Sequence, residues 1–584
     1  MKAIAATGLL SDFAEAGVLG LPDVHLARTL TGLVRDAAPE VGLAIALTLR
    51  AWRTGSPCLD VTRADVLGID DEETTPDTAG LGWPEAGPWL DALRQSPLIG
   101  TGDDDRPLCL DGSLLYLRRT WLEQQQVVRS LAVRWAMAPP APPAGSTGDD
   151  VIDAVLNQWT CVLTGGPGTG KTHKVAELIE AVTDLAGFAQ IAVAAPTGKA
   201  AARLAQAMGP GAPVPVTLHR LLGARGPGRG FRFGAGNPLP ADLVIVDELS
   251  MVSLPLMAAL LSALRPATRL LLVGDPGQLA SVEAGAVLAD LVAADVTATA
   301  HGNTPLVRML THVWRYGGAL ADLSSAAAVG DADRALGVLD RQDPAAILVD
   351  RDAAGVTWND LPDVAGAIRA TTQATRLQAE AGEGPAAVAA LDGHRLLCAH
   401  RQGPYGVSVW ARRVAELTTP PGRRADDWWA GKPVLATVTA PDLGVVSGDQ
   451  GVAIATPDGL RLAFDSRGAN GMTSALLPVD AVPSLATLDA MTVHKSQGSQ
   501  FRAVTVVLPP LDSPLLIRPL LYTAMTRASE QLTVIGTREQ LRQGLVTAPG
   551  RASGLAAALR EATIDAVPSE SGQAGCQLRS SQSD

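Results

Sequence analysis

Apolar positions along this chain change their period several times, and each change predicts an element. Residues 21–53 and 115–135 repeat at helical spacing. From residue 151 the pattern becomes short continuous apolar runs divided by helical stretches. TCVLTGGPGTGKTHKV (160–175) predicts a buried strand, a glycine-rich turn and then a helix. IAVAAP (191–196), LVIVDE (243–248) and RLLLVGD (269–275) read as three further strands. Strands alternating with helices predict a parallel sheet with crossovers, whose ligands gather at the carboxyl ends of the strands. From about Leu306 a second region of this kind begins, with strands in LLCAH (396–400), VTVVL (504–508) and LTVIG (532–536). Within it, residues 431–482 change texture. PVLATVTA, GVAIAT and LRLAF are short strands parted by SGDQG and PDG turns, which predicts a small inserted β-barrel.

The expected organisation follows. Residues 1–145 form a mainly helical N-terminal domain that ends in the proline-rich linker PPAPPAG (139–145). Residues 146–305 form a first α/β unit, with a Gly/Pro/Arg-rich insertion at 210–240. Residues 306–430 and 483–565 form a second α/β unit around the barrel at 431–482, and 566–584 read as a disordered tail.

Composition narrows the class. No apolar run approaches the roughly 20 residues that span a bilayer. The first 17 residues turn acidic too early for a secretory signal, so a cytoplasmic protein is expected. The five cysteines form no CxxC, and the acidic stretch 70–75 reads as a solvated loop rather than a metal site. The net charge of −13 argues against a general nucleic-acid coat but leaves room for a local basic channel or a basic partner. Only six of the 47 basic residues are lysines, and Lys171, Lys199 and Lys495 all fall in Gly/Ser/Thr-rich motifs. A compact ammonium suits such places better than a planar guanidinium.

The chemistry centres on GGPGTGKT, residues Gly165, Gly166, Pro167, Gly168, Thr169, Gly170, Lys171 and Thr172. A strand, this loop and a helix make a phosphate cradle: backbone N–H groups and the helix dipole face one anion. Lys171 is expected at the β- and γ-phosphates of ATP, and Thr172 at Mg²⁺. Asp247 and Glu248 close a strand; Asp247 is expected to hold Mg²⁺ and Glu248 to orient the attacking water. Gln278, after the fourth strand, is placed to sense the γ-phosphate. Arg315 and Arg527, far downstream, are candidates to stabilise transition-state charge from a second lobe.

These motifs, in order, resemble those of superfamily 1 DNA helicases. The set is GGPGTGKT, APTGKAA (195–201), TLHRLLG (217–223), VDELS (246–250), GDPGQLASVEAGAVL (274–288), LTHVWRY (310–316), MTVHKSQGSQF (491–501) and LLYTAMTRA (520–528). Within that superfamily the chain is similar to the RecD family, the alpha subunits of exodeoxyribonuclease V. NPLP (237–240), LCLDGSLLYLRRTWLEQQ (108–125) and RASGLAAAL (551–559) carry this likeness. The resemblance implies two RecA-like lobes with ATP between them, an SH3-like barrel in the second, and translocation 5′ to 3′ on single-stranded DNA. It implies DNA contacts from Thr197, Lys199, His219, Arg220, Thr492 and His494, and partners of the RecB and RecC kinds on duplex ends. Phosphate contacts from Lys199 and Arg220 would be independent of base sequence. Two departures stand out. Residues 145–155 lack the adenine-reading glutamine of the family, and Gln500 replaces a glutamate, leaving a ribose hydrogen bond without charge. A freestanding helicase of the same group and an ATP-gated scaffold that binds DNA ends without moving are the competing expectations.

Overall fold

The computed structural model describes residues 7–34, 38–66, 78, 80–102, 104–140, 147–209, 211–226, 228–298, 304–312, 317–464 and 476–565. The acidic stretch 70–75, Arg315 and the tail 566–584 lie outside these residues.

The N-terminal unit is helical, as expected, but it also holds a small sheet that the apolar pattern did not reveal. Helices Leu9–Glu15, Leu21–Thr31, Pro39–Arg53 and Ala86–Gln95 pack on four short strands. The strand order is Cys58–Asp60, Leu114–Leu117, Leu108–Asp111, Ile99–Gly100. Strands of two to four residues are too short to show a period. The stretch 115–135 therefore divides into the end of a strand and the helix Arg118–Ala136. That helix does not stay in the N-terminal unit. Val127, Val128, Leu131 and Trp135 enter the core of the first α/β unit. Arg134, buried, ties the helix to the Trp159 carbonyl at 2.8 Å and the Thr160 hydroxyl at 2.8 Å.

The first α/β unit is a six-stranded parallel sheet ordered Val307–Leu310, Thr160–Gly165, Arg269–Gly274, Leu243–Val246, Ile191–Ala195, Val216–Thr217. Both faces are covered, so the central strands read as continuous apolar runs and not as alternation. The strand Val307–Leu310 corrects the expected boundary at 305. It pairs with Val162–Gly165 and so closes the first sheet instead of opening the second unit. A second parallel sheet runs Ala346–Val349, Ala528–Ile535, Phe501–Val507, His394–Cys398, Met491–Thr492.

Where the inserted barrel was expected, five antiparallel strands form one sheet: Leu477–Pro478, Gly459–Phe464, Gln450–Thr456, Pro433–Ala436, Leu485–Thr487. The sheet extends five residues past 482. Its inner face lies close on the helix Gly384–Ala390, where a β-carbon on Gly384 would come within 2.9 Å of the Ala463 methyl. The final helix, Leu555–Asp565, is a further correction. It was expected in the second unit, yet Leu555 and Leu559 join the core of the first, beside Leu131 and Leu291.

Candidate functional site: a nucleotide cleft between two lobes

Every candidate motif of the first lobe lies at the carboxyl end of its sheet. The phosphate loop follows Thr160–Gly165, and its curl depends on φ of +79° at Gly168 and +85° at Gly170. Such angles are open to glycine and strained for other residues. Gly170 caps the helix Lys171–Ala186, so its N-terminus points at the cradle. A β-carbon on Gly165 would lie 2.6 Å from Thr169 Oγ1 and 2.9 Å from the Leu310 carbonyl. Lys171 Nζ donates to the carbonyls of Gly165 (2.7 Å) and Gly166 (2.9 Å), which holds the ammonium over the loop. Thr172 is half-buried in the first turn of the helix.

Asp247 is buried two strands away, and its Oδ1 accepts the Glu248 N–H at 2.8 Å. Burial, then the Glu248 charge, pushes its carboxyl up; Lys171 and Arg203 oppose the shift. A carboxylate so destabilised suits a divalent cation, which would neutralise it, and Thr172 supplies a hydroxyl of the right kind. Glu248 sits at φ +54°, ψ +44°, a left-handed conformation that costs a non-glycine residue about 1–3 kcal/mol.

Asp275 joins the two lobes. Its Oδ1 accepts the Gly277 N–H (3.0 Å), and its Oδ2 accepts both Gln278 Nε2 (3.1 Å) and the Tyr522 hydroxyl (3.0 Å). Tyr522 comes from the second lobe, on the helix Arg518–Met525. Its ring lies against Gly277 and its hydroxyl faces Gly166. Two more bonds cross at this point: Leu279 N–H to Thr523 Oγ1 (2.8 Å) and Gln497 Nε2 to the Leu279 carbonyl (3.0 Å). Arg527 is buried behind them and donates to the carbonyls of Thr523 (3.0 Å) and Ser499 (3.1 Å). Burial lowers its pKa, while the charges of Glu248 and Asp275 favour the cation.

The residues expected to contact DNA divide into two groups. His219 and Arg220 are exposed on the short helix Leu218–Leu221, beside a loop carrying Arg225, Arg229 and Arg232. The others are engaged within the protein. Thr197 caps the helix Gly198–Met208 through Ala200 N–H (3.2 Å). Lys199 Nζ stands 5.9 Å from the centroid of the Phe501 ring, reaching toward the second lobe. Thr492 is buried and accepts the Lys495 N–H at 3.3 Å. The His494 imidazole is pushed down to about 4 by burial first, then by Arg551 and Arg401. Gln500 is half-buried just before the strand Phe501–Val507.

Sequence reasoning passed over Asp275, Tyr522 and Arg203. The first two stood inside quoted motifs, and only the fold shows that they meet. Arg203 follows Lys199 by one helical turn, and that spacing was the available signal.

A phosphate loop, an acidic strand end and a second lobe that brings Tyr522 to the loop and a buried arginine within reach of the acidic charge define the P-loop class of ATP-dependent DNA helicases. Comparison with known proteins agrees. An AAA domain matches residues 149–284, the RecBCD enzyme subunit RecD N-terminal domain matches 15–116, and a UvrD-like helicase C-terminal domain matches 487–535. The chain is 42% identical to the RecBCD enzyme subunit RecD of Mycobacterium tuberculosis over 95% of its own length and 97% of that protein's. It is 41% identical to that of Mycolicibacterium smegmatis, at 95% and 100% coverage. It belongs to the RecD family. It is also 32% identical to the ATP-dependent RecD2 DNA helicase of Deinococcus radiodurans, over 84% of this chain and 64% of that one. Among solved structures, the Pif1 helicase from Candida albicans aligns over 72% of this chain and 95% of that one, at 17% identity and a TM-score of 0.36.

Proposed function

We propose that this chain is a 5′-to-3′ translocase on single-stranded DNA, driven by ATP and Mg²⁺, and that it works beside RecB-like and RecC-like subunits at duplex DNA ends. The observation that carries the reading is the buried hydrogen bond from Tyr522 to Asp275, with the charge of Arg527 felt by Glu248 and Asp275 beside it. Through it, occupancy of the phosphate loop and the closure of two lobes become one equilibrium, which is what a motor requires.

Lys171 would bind the β- and γ-phosphates. Thr172 and Asp247 would hold the cation, which would neutralise phosphate charge. Glu248 would orient the attacking water, and Gln278 would report the γ-phosphate to Asp275 and Tyr522. Arg527 would stabilise charge in the transition state, with Arg315 expected beside it. Gln500 would meet the ribose. Thr197, Lys199, His219, Arg220, Thr492 and His494 would line the DNA path, with the exposed pair meeting phosphate first.

A subunit role is favoured over a freestanding helicase by the match of residues 15–116 to the RecBCD enzyme subunit RecD N-terminal domain. Identity points the same way, at 42% and 41% to the RecD subunits against 32% to the RecD2 helicase. Lys171→Gln tests the motor: DNA-stimulated ATP hydrolysis should vanish while partner binding survives, and normal hydrolysis would refute the site. Co-purification from native cells tests the complex. Two large co-eluting subunits are expected; a chain that elutes alone and unwinds DNA strongly supports the freestanding reading.

A further inference from the structure

After the helix Arg538–Val546 the chain leaves the second lobe, crosses at residues 548–554, and returns to the first lobe as Leu555–Asp565. At the crossing it is wedged among three units. Ala552 packs on the cluster of Cys58, Cys109, Tyr116 and Trp121 in the N-terminal unit. Ser553 Oγ donates to Asp290 Oδ2 of the first lobe at 2.8 Å.

Arg551 touches two of these units, and its charge is felt in the third. Its Nη1 donates to the Ser281 carbonyl at 2.6 Å. Its guanidinium lies on Gly55, where a β-carbon would come within 2.6 Å of Nη2. Its charge reaches His494 in the second lobe. Gly55, at the end of the helix Pro39–Arg53, accepts the Gly285 N–H at 3.0 Å. The loop that begins at Asp275 and carries Gln278 is therefore pinned at residues 281 and 285, once by Arg551 and once by the N-terminal unit that Arg551 covers. The bond is to main chain, so it sets the position of the loop rather than one rotamer. Burial lowers the basicity of Arg551, and among the described residues no carboxylate pairs with it. Arg551 is half-buried, and a cation drawn out of water without such a partner costs stability that an apolar residue of similar volume would not. Packing alone does not account for an arginine here.

We propose that Arg551 is a positioning residue that couples the N-terminal unit to the loop carrying Gln278, so that the hold on the N-terminal unit sets how strongly DNA accelerates ATP hydrolysis. This rests on the motor reading above.

The test uses the full chain, with hydrolysis measured with and without an oligo-dT single strand. Arg551→Gln should keep basal hydrolysis within about twofold and lose at least about tenfold of the DNA stimulation, the effect of one charge-assisted bond. Arg551→Lys, which retains charge and a donor, should recover part of it. Ser553→Ala breaks a bond of the same segment that does not touch the loop, and should keep its stimulation. Full stimulation in Arg551→Gln overturns the inference. An equal loss in Ser553→Ala also overturns it, because the segment would then only hold the fold. A wild-type chain that DNA does not stimulate overturns the motor reading itself, and this inference with it.

Discussion

Tyr522→Phe removes one hydroxyl from the lobe junction and keeps the ring. The hydroxyl donates to Asp275 Oδ2 at 3.0 Å, in a buried site where that oxygen's other bond comes from Gln278 Nε2. A buried hydrogen bond to a carboxylate contributes about 1.5–3 kcal/mol. At about 1.4 kcal/mol per tenfold, its loss shifts the balance between closed and open lobes by roughly 10- to 100-fold. The ring's contact with Gly277 remains, and no residue of the phosphate loop is replaced. Steady-state hydrolysis with saturating single-stranded DNA should fall by about tenfold or more, and binding of a fluorescent ATP analogue should weaken with it, because closure and occupancy are linked. A double-mutant cycle with Asp275→Asn isolates the bond and should give a coupling energy of about 1 kcal/mol or more. Unchanged turnover, or a coupling energy of zero, would refute the argument that this contact links the lobes.

Gly165→Ala places a methyl 2.6 Å from Thr169 Oγ1 and 2.9 Å from the Leu310 carbonyl; nucleotide binding should be lost with about 1–3 kcal/mol of stability, read by calorimetry and analogue titration. Arg220→Ala should weaken DNA binding on every sequence and reduce the slope of log affinity against log salt by about 0.7, as one phosphate contact to a single strand requires. Acid sensitivity should follow two histidines with depressed pKa, His394, pushed down to about 3 by burial, and His494. The folded pKa of His494, about 4, lies below the ordinary 6.5, so between these values the unfolded chain binds the extra proton. Stability from this group is present above 6.5 and is lost as pH falls toward 4. Asp290 and Asp489 have the opposite sign: burial holds each at about 6, so stability from them is lost as pH rises from 3.8 through 6. The comparison with His494→Gln therefore isolates the histidine; the stability difference between pH 7 and pH 5 should shrink by roughly 2 kcal/mol, and an equal difference in both proteins would remove His494 as the cause.

Much of the candidate cleft was legible before any fold was known, because the chemistry proposed for it is local. A phosphate cradle needs consecutive backbone N–H groups, so Gly168, Gly170 and Lys171 must be neighbours in the chain, on a strand-to-helix turn. The same holds for Asp247 and Glu248 at the end of a strand, and for the parallel sheets announced by unbroken apolar runs. Boundaries were less legible. Val307–Leu310 joins the first sheet and Leu555–Asp565 returns to the first lobe, because pairing partners and buried faces are chosen in space. Nothing in the local period of a four-residue strand or an eleven-residue helix names its partner. The junction belonged wholly to the tertiary structure. Asp275 and Tyr522 lie 247 positions apart, and Arg551 and Ser281 lie 270 apart. A hydrogen bond of about 3 Å between residues so distant depends on how two lobes and an N-terminal unit pack together, and a pattern read over a dozen residues does not contain that information.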